Sequence, residues 1–261
     1  MSKLSVYIIA FNEEDKIEPA IRSVTWADEI VVVDSFSTDR TVEIARRYTD
    51  SIIQVPFEGF GRLRNTAVSR TGNEWIFSLD ADERCTPEAR DEILRTISRP
   101  DAADAYYVPR SNLFLGRWIR HSGWYPDYRQ PQLFRRGALS YKEEQVHEGY
   151  VVHGIVGHLE QPIRQVPYSD LSQLISKMNR YSTLGARKLD EAGKSARMGT
   201  ALGHAVAAFL KPYVLKRGFL DGWPGFVIAL SGFEATFYKY AKLYELSREK
   251  ATGETSEQGS P

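Results

Sequence analysis

Over its first eighty residues or so, this chain alternates short β-branched apolar runs with amphipathic segments, and that alternation admits very few folds. The runs are residues 4–10 (Leu-Ser-Val-Tyr-Ile-Ile-Ala), 29–34 (Glu-Ile-Val-Val-Val-Asp), 51–55 and 75–80 (Trp-Ile-Phe-Ser-Leu-Asp). They are too short for helices and apolar almost throughout, as strands covered on both faces are. Between them Ile17, Ala20, Ile21 and Val24 recur at helical spacing. Residues 40–48 form a second helical stretch, and 59–70 a third, with Phe60, Leu63 and Ala67 on one face and Arg62 and Arg64 elsewhere. Asn12 is placed to cap the first helix, and Ser37 or Thr38 the second. β-α-β-α-β-α-β on this spacing requires parallel strands joined by right-handed crossovers. The expected class is α/β: a Rossmann-like, mostly parallel sheet flanked by helices, with a helical C-terminal extension.

The strand ends carry acids: Glu13 just past the first, Asp34 at the second, Asp80 and Asp82 at the fourth. Parallel strands put these ends on one edge, where α/β sheets bind ligands. Two carboxylates as close as Asp80 and Asp82 repel each other, and a hard divalent ion such as Mg²⁺ or Mn²⁺ between them relieves the repulsion. Read alone, Asp-x-Asp is as well explained by a surface turn before a helix cap. Neither Gly-x-Gly-x-x-Gly nor a Walker pattern follows the first strand, which argues against a dinucleotide dehydrogenase and a P-loop NTPase. Phosphate would then be neutralised by a metal on Asp80 and Asp82 with Arg64 nearby.

Lys and Arg equal Asp and Glu in number, so charge offers no argument for nucleic acid. Cys85 is the sole cysteine, which excludes an internal disulfide and a cysteine-based zinc site and fits a reducing cytoplasm. The chain enters a strand at once, with no signal-peptide pattern, and no apolar run reaches the length of a membrane span.

Thr86 and Pro87 open a further helix that ends near Ser98, and strands are expected at 105–109 and 132–135. Residues 110–128 lack periodicity and are dense in aromatics, Arg and Gly; the expectation is a long irregular loop suited to sugar faces. His147 beside Glu148 is a candidate acid/base pair, although a histidine taken alone is more often structural. Helices are expected at 170–191, 199–217 and 224–246. Lys211, Lys216, Arg217, Lys239 and Lys242 alternate with apolar residues there, which suits peripheral contact with an inner membrane face. The competing reading is a helical subdomain that packs on the sheet and lends apolar surface to a homodimer. The expected division is 1–165 for the sheet domain, 166–250 for the helical region and 251–261 for a disordered tail, in which 252–261 has no apolar residue.

Ala10-Phe11-Asn12-Glu13, Val33-Asp34-Ser35, Thr38-Asp39, Gly61-x-x-Arg64-Asn65 and Leu79-Asp80-Ala81-Asp82-Glu83 together resemble the inverting family-two nucleotide-sugar glycosyltransferases, whose fold is called GT-A. Gln132-Leu133-Phe134-Arg135, Val146-His147-Glu148 and Gly218-Phe219-x-Asp221-Gly222 resemble the branch that includes bacterial lipopolysaccharide core β-glucosyltransferases. The resemblance implies nucleotide contacts from Ala10, Asn12, Glu13, Asp34, Arg64 and Asp80, and a divalent metal on Asp80 and Asp82; three roles stay open for His147: a further metal ligand, a partner that orients Glu148, or packing. It implies Glu148 as the base that deprotonates the acceptor; Asp127, supported only by its place in the aromatic stretch, is second. The implied donor is a nucleotide sugar, UDP-glucose first, and the acceptor a glycan or glycolipid of the envelope, in the cytoplasm or at the inner face of its membrane. Two other readings keep the nucleotide site: transfer to a polyprenyl phosphate, which needs no base, and binding of a nucleotide sugar without catalysis.

Overall fold

Every residue of the first strand, β1 (Leu4–Ala10), is buried, as a run apolar on both faces demands. In the computed structural model, which describes residues 2–143 and 149–252, there follow α1 (Ile17–Arg22), β2 (Glu29–Asp34), α2 (Thr41–Ala45), β3 (Ile52–Gln54), α3 (Phe60–Arg70), β4 (Trp75–Asp80), β5 (Glu83–Arg84) and α4 (Pro87–Ile97). Next come β6 (Ala105–Tyr107), β7 (Arg110–Phe114), β8 (Arg117–Trp118), β9 (Pro131–Arg135), β10 (Leu139–Tyr141), β11 (Tyr150–Val152), β12 (Val156–His158) and β13 (Ile163–Gln165). The C-terminal part holds α5 (Leu171–Glu191), α6 (Met198–Leu210), a π-helical turn, a 3-10 turn and α7 (Trp223–Thr252). The chain forms two compact units, Met1–Asn112 with Pro126–Val166, and Leu113–Tyr125 with Pro167–Pro261.

The first unit is built on a seven-stranded sheet of order β12-β6-β9-β4-β1-β2-β3. β4, β1, β2 and β3 run parallel, as the alternation predicts, and β9 enters antiparallel between β4 and β6. Strand periodicity sorts β1 between two layers. Leu4, Val6 and Ile8 pack with Ile17, Ile21 and Ile93 on one face, and Tyr7 and Ile9 with Leu63 and Ala67 on the other. The class is therefore α/β with a mostly parallel central sheet, as expected. Thr86 caps α4, its hydroxyl accepting from the Ala89 amide at 3.1 Å.

Three local expectations are corrected. Asn12 does not cap α1, which begins at Ile17 without a side-chain cap. Neither Ser37 nor Thr38 caps α2, whose first residue is Thr41. The 110–128 stretch is not irregular throughout. Leu113 pairs with Trp118 and Phe114 with Arg117 across a two-residue turn. Leu115 (φ 49°) and Gly116 (φ 75°) both take the left-handed conformation that such a turn needs. Leu-Gly is a weak signal for this turn because a leucine Cβ disfavours positive φ.

In the second unit Asp170 caps α5, accepting from the Gln173 amide at 2.7 Å. The buried Asp221 carboxylate accepts from the amides of Arg120 (3.1 Å) and His121 (3.0 Å) and from the Ser122 hydroxyl (3.2 Å), so it ties the segment after the β7–β8 hairpin to the turn before α7. Among the described residues no helix is long and apolar enough to cross a membrane.

Candidate functional site

Register alone assembles the acidic edge. Ala10 lies beside Asp34 across the β1–β2 pair, and Ile9 lies beside Asp80 across β1–β4. The loops leaving these strands are sewn together by short polar side chains. Asn12 adopts φ 52°; its amide donates to Ser37 Oγ (2.8 Å) and its Oδ1 accepts from the Thr38 amide (2.9 Å). The Glu13 amide donates to Thr41 Oγ1 (2.8 Å), and Asp39 accepts from the amides of Glu14 (3.0 Å) and Thr41 (2.9 Å). Asp34 is fully buried and accepts from Ser37, through its amide and hydroxyl, and from Gln54 Nε2 at 2.9 Å. The Glu13 side chain pairs with the buried Lys16 ammonium at 3.2 Å.

Helix α3 supplies the next piece. Arg64 is buried; it donates to Ser78 Oγ (3.1 Å) and Asp80 Oδ1 (2.8 Å). Burial alone would lower its pKa, but the Asp80 carboxylate together with Tyr7 and Tyr141 outweighs that and holds the guanidinium well above its ordinary value. The neighbouring motif residues face β10. Asn65 brackets Tyr141, donating to its carbonyl (2.8 Å) and accepting from its amide (3.0 Å). A Cβ on Gly61 would sit 1.9 Å from the Lys142 carbonyl oxygen, so only glycine permits this approach. Lys142 in turn donates its amide to the Gly149 carbonyl at 2.8 Å. The Gly61-x-x-Arg64-Asn65 pattern therefore does two jobs: it sets a cation against Asp80 and holds Tyr141 and Lys142, just before the segment that carries His147 and Glu148.

Behind the Asp80–Asp82 turn stands a buried polar post. Glu83, completely buried, pairs with Arg110 Nε and accepts from the Asp80 amide (3.0 Å) and Gln132 Nε2 (2.9 Å). Gln165 Nε2 donates to Asp82 at 3.1 Å, and the Asp82 carbonyl accepts from the Val166 amide at 2.9 Å. Burial, then the neighbouring Glu83 and Asp80 carboxylates, pushes the Asp82 carboxyl up from its ordinary 3.8 to about 7. Burial is the larger of these causes, and a bound dication beside Asp82 would favour its ionised form. Mg²⁺ and Mn²⁺ suit such a site, since they bind through one or two carboxylates plus substrate phosphates. Among the described residues no cluster of three or more His, Cys, Asp or Glu side chains forms a self-contained metal cage. Unsatisfied buried atoms surround the turn: Arg64 Nε, a donor, and the amide oxygens of Gln132 and Gln165. Such atoms are costly unless something meets them, and an anion near Arg64 would satisfy one.

The structure thus brings Ala10, Asn12, Glu13, Asp34, Arg64, Asp80 and Asp82 to one edge of the first unit. Asp127 is tied to the same post. Its carboxylate pairs with Arg129 at 2.9 Å, and its carbonyl accepts from Arg110 at 3.4 Å. His147 and Glu148 lie outside the described residues. Sequence reasoning gave no role to Gln54, Glu83, Arg110, Gln132 or Gln165. Of these Glu83 had a legible signal, an acid directly after the Asp-x-Asp pair, and Gln132 stood in the Gln132-Leu133-Phe134-Arg135 stretch.

Residues 5–159 match the family model described as Glycosyl transferase family 2. The chain is 30% identical over 259 residues to the lipopolysaccharide core biosynthesis glycosyltransferase LpsC of Rhizobium meliloti, an alignment that covers 95% of this chain and 94% of that protein. It is 29% identical to an uncharacterized glycosyltransferase of Rickettsia prowazekii, covering 95% and 88% of the two chains. Among solved structures, S. aureus TarS in complex with UDP-GlcNAc aligns at 16% identity and a TM-score of 0.49, over 95% of this chain and 92% of that one.

Proposed function

The chain belongs to glycosyl transferase family 2, and from that premise we propose that it is a metal-dependent, inverting hexosyltransferase. It moves a hexose, glucose from UDP-glucose first, onto a hydroxyl of a lipopolysaccharide-core or related envelope glycan. The relative named for lipopolysaccharide core biosynthesis supports the acceptor class. The observation that carries the donor reading is the Asp80–Asp82 turn, whose two carboxylates are backed by the buried Glu83–Arg110 pair and flanked by the buried Arg64.

Each part then has a task. The loops that Asn12, Ser37, Asp39 and Thr41 fasten together form the floor for the nucleoside, with Glu13 and Asp34 at their roots. Arg64 faces the diphosphate. Asp80 and Asp82, with His147 as the further candidate, would hold Mg²⁺ or Mn²⁺. When bound, that ion acts as a Lewis acid on the diphosphate as negative charge grows there. The Glu83–Arg110 pair and Gln165 keep the two carboxylates preorganised, so little rearrangement opposes the transition state. The acceptor hydroxyl must lose its proton as it attacks the anomeric carbon from the face opposite the leaving diphosphate, and a single carboxylate base suffices. We assign that base to Glu148, on the segment just after Tyr141 and Lys142, which Asn65 and Gly61 hold. Asp127 is the second choice because it must first release Arg129.

The test is transfer from a panel of UDP, GDP, CMP and ADP sugars in Mn²⁺, with UDP binding followed by calorimetry. Asp82→Ala is expected to abolish transfer and weaken Mn²⁺-dependent UDP binding. Glu148→Ala is expected to abolish transfer while UDP affinity stays near wild type. Normal turnover in Asp82→Ala removes the metal site, and normal turnover in Glu148→Ala moves the base to Asp127 or points to an acceptor already ionised, such as a polyprenyl phosphate.

A further inference from the structure

The second unit presents a surface that the donor site does not use. Met198, Leu202, Val206, Leu210 and Val214 follow one another at four-residue spacing along α6 and the π-helical turn, and each is between 42% and 52% exposed. Such a row lies along one side of a helix. The chain continues into Leu215, 75% exposed, and Trp223, 68% exposed, at the start of α7. α6 itself buries little beyond Ala201 and Ala205. A water-facing row of large apolar side chains this long is a surface that something covers.

Charge identifies the cover. Residues 192–220 contain Lys194, Arg197, Lys211, Lys216 and Arg217 and no aspartate or glutamate, in a protein whose net charge is zero. All five of these cations are exposed. The basic residues of α7 are differently placed: Lys242 donates to Asn179 Oδ1 (2.7 Å), Ser182 Oγ (2.8 Å) and Thr183 Oγ1 (2.8 Å) on α5, so it is internal glue. Apolar residues with an aromatic at one end, in a stretch whose charged residues are all cations, match the interface of an anionic bilayer. A second copy of the chain is the poorer occupant. A two-fold contact would set the cations of one face against the same cations of the other.

We propose that the α6 row and the turns that follow it form a membrane-docking face that inserts its apolar side chains at the headgroup level of an anionic lipid surface. This inference stands independently of the donor and metal assignments, and its test needs neither donor nor acceptor. The full chain is sedimented with phosphatidylglycerol-containing vesicles and, separately, with pure phosphatidylcholine vesicles, at low and high salt. The expected result is attachment to the anionic vesicles that weakens as salt rises. Lys211→Gln with Lys216→Gln is expected to weaken attachment about 25-fold, taking about fivefold for each cation near the surface. Leu202→Glu with Val206→Glu is expected to abolish it. All four positions are exposed, and an unchanged circular dichroism spectrum and UDP affinity would verify the fold. The proposal is overturned if the wild type ignores anionic vesicles, if it binds both vesicle types equally, or if Leu202→Glu/Val206→Glu binds like wild type. It is also overturned if the wild type is a dimer by analytical ultracentrifugation that this double variant converts to a monomer.

Discussion

Replacing Asp82 by Asn should make the metal-free protein more stable and the loaded protein less so. Its carboxyl is pushed from 3.8 to about 7 by burial and by Glu83 and Asp80. A folded pKa above the unfolded one means that protonation favours the fold. The contribution is complete below the unfolded value of 3.8 and is lost as pH rises to about 7. Each tenfold change in the protonation constant corresponds to about 1.4 kcal/mol, so above neutrality the ionised Asp82 costs at most about 4 kcal/mol. Asn is nearly isosteric, carries no charge and retains an oxygen that can accept from Gln165 Nε2. For a chain of this size about 2–4 °C accompanies each kcal/mol, so Asp82→Asn should melt higher than wild type at pH 8 in EDTA, by at most about 8–16 °C. The gap should close toward pH 4. With Mn²⁺ and UDP the order should invert, because only the wild type gains from binding. Melting curves across that pH range, with and without Mn²⁺ and UDP, measure all of this. If Asp82→Asn in EDTA is no more stable than wild type at pH 8, the picture of a carboxyl held protonated by burial and its neighbouring acids is wrong.

Glu83→Gln leaves Arg110 buried without its carboxylate and should cost about 3–5 kcal/mol by urea denaturation; a loss under about 1 kcal/mol would show that the pair is not the support described. Gly61→Ala should destabilise by about 1–3 kcal/mol through the clash with the Lys142 carbonyl. It should also lower transfer more than UDP affinity, since it shifts the segment that leads to Glu148; kcat and calorimetric UDP affinity separate the two effects. Arg64→Lys keeps the charge but loses the fork that reaches both Ser78 and Asp80. UDP affinity should fall about tenfold or more in calorimetry, and an unchanged affinity would remove Arg64 from the diphosphate site.

The parallel half of the fold was legible in the sequence because strands covered on both faces must be apolar throughout. β1, β2 and β4 are therefore written as continuous runs, and the acids at their ends had only one edge to occupy. The family motifs lay at those same loops. What the sequence could not express is which polar side chain meets which. Glu83 and Arg110, far apart in the chain, pair in the core. Asn12 and Ser37 have the composition of caps, but each found a partner in the other's loop, which local spacing does not reveal. The β7–β8 hairpin was hidden because its turn uses a leucine where positive φ is needed. The C-terminal lysines look alike along the chain, and only packing separated Lys242, buried in hydrogen bonds to α5, from Lys211 and Lys216 beside an uncovered apolar row. The sequence by itself determined the layers, the strand direction and the edge at which chemistry could sit, because these follow from short-range periodicity. Tertiary structure decided how the charges are paired and which faces stay open, because a buried charge is stable only beside a partner that the chain brings in from far away.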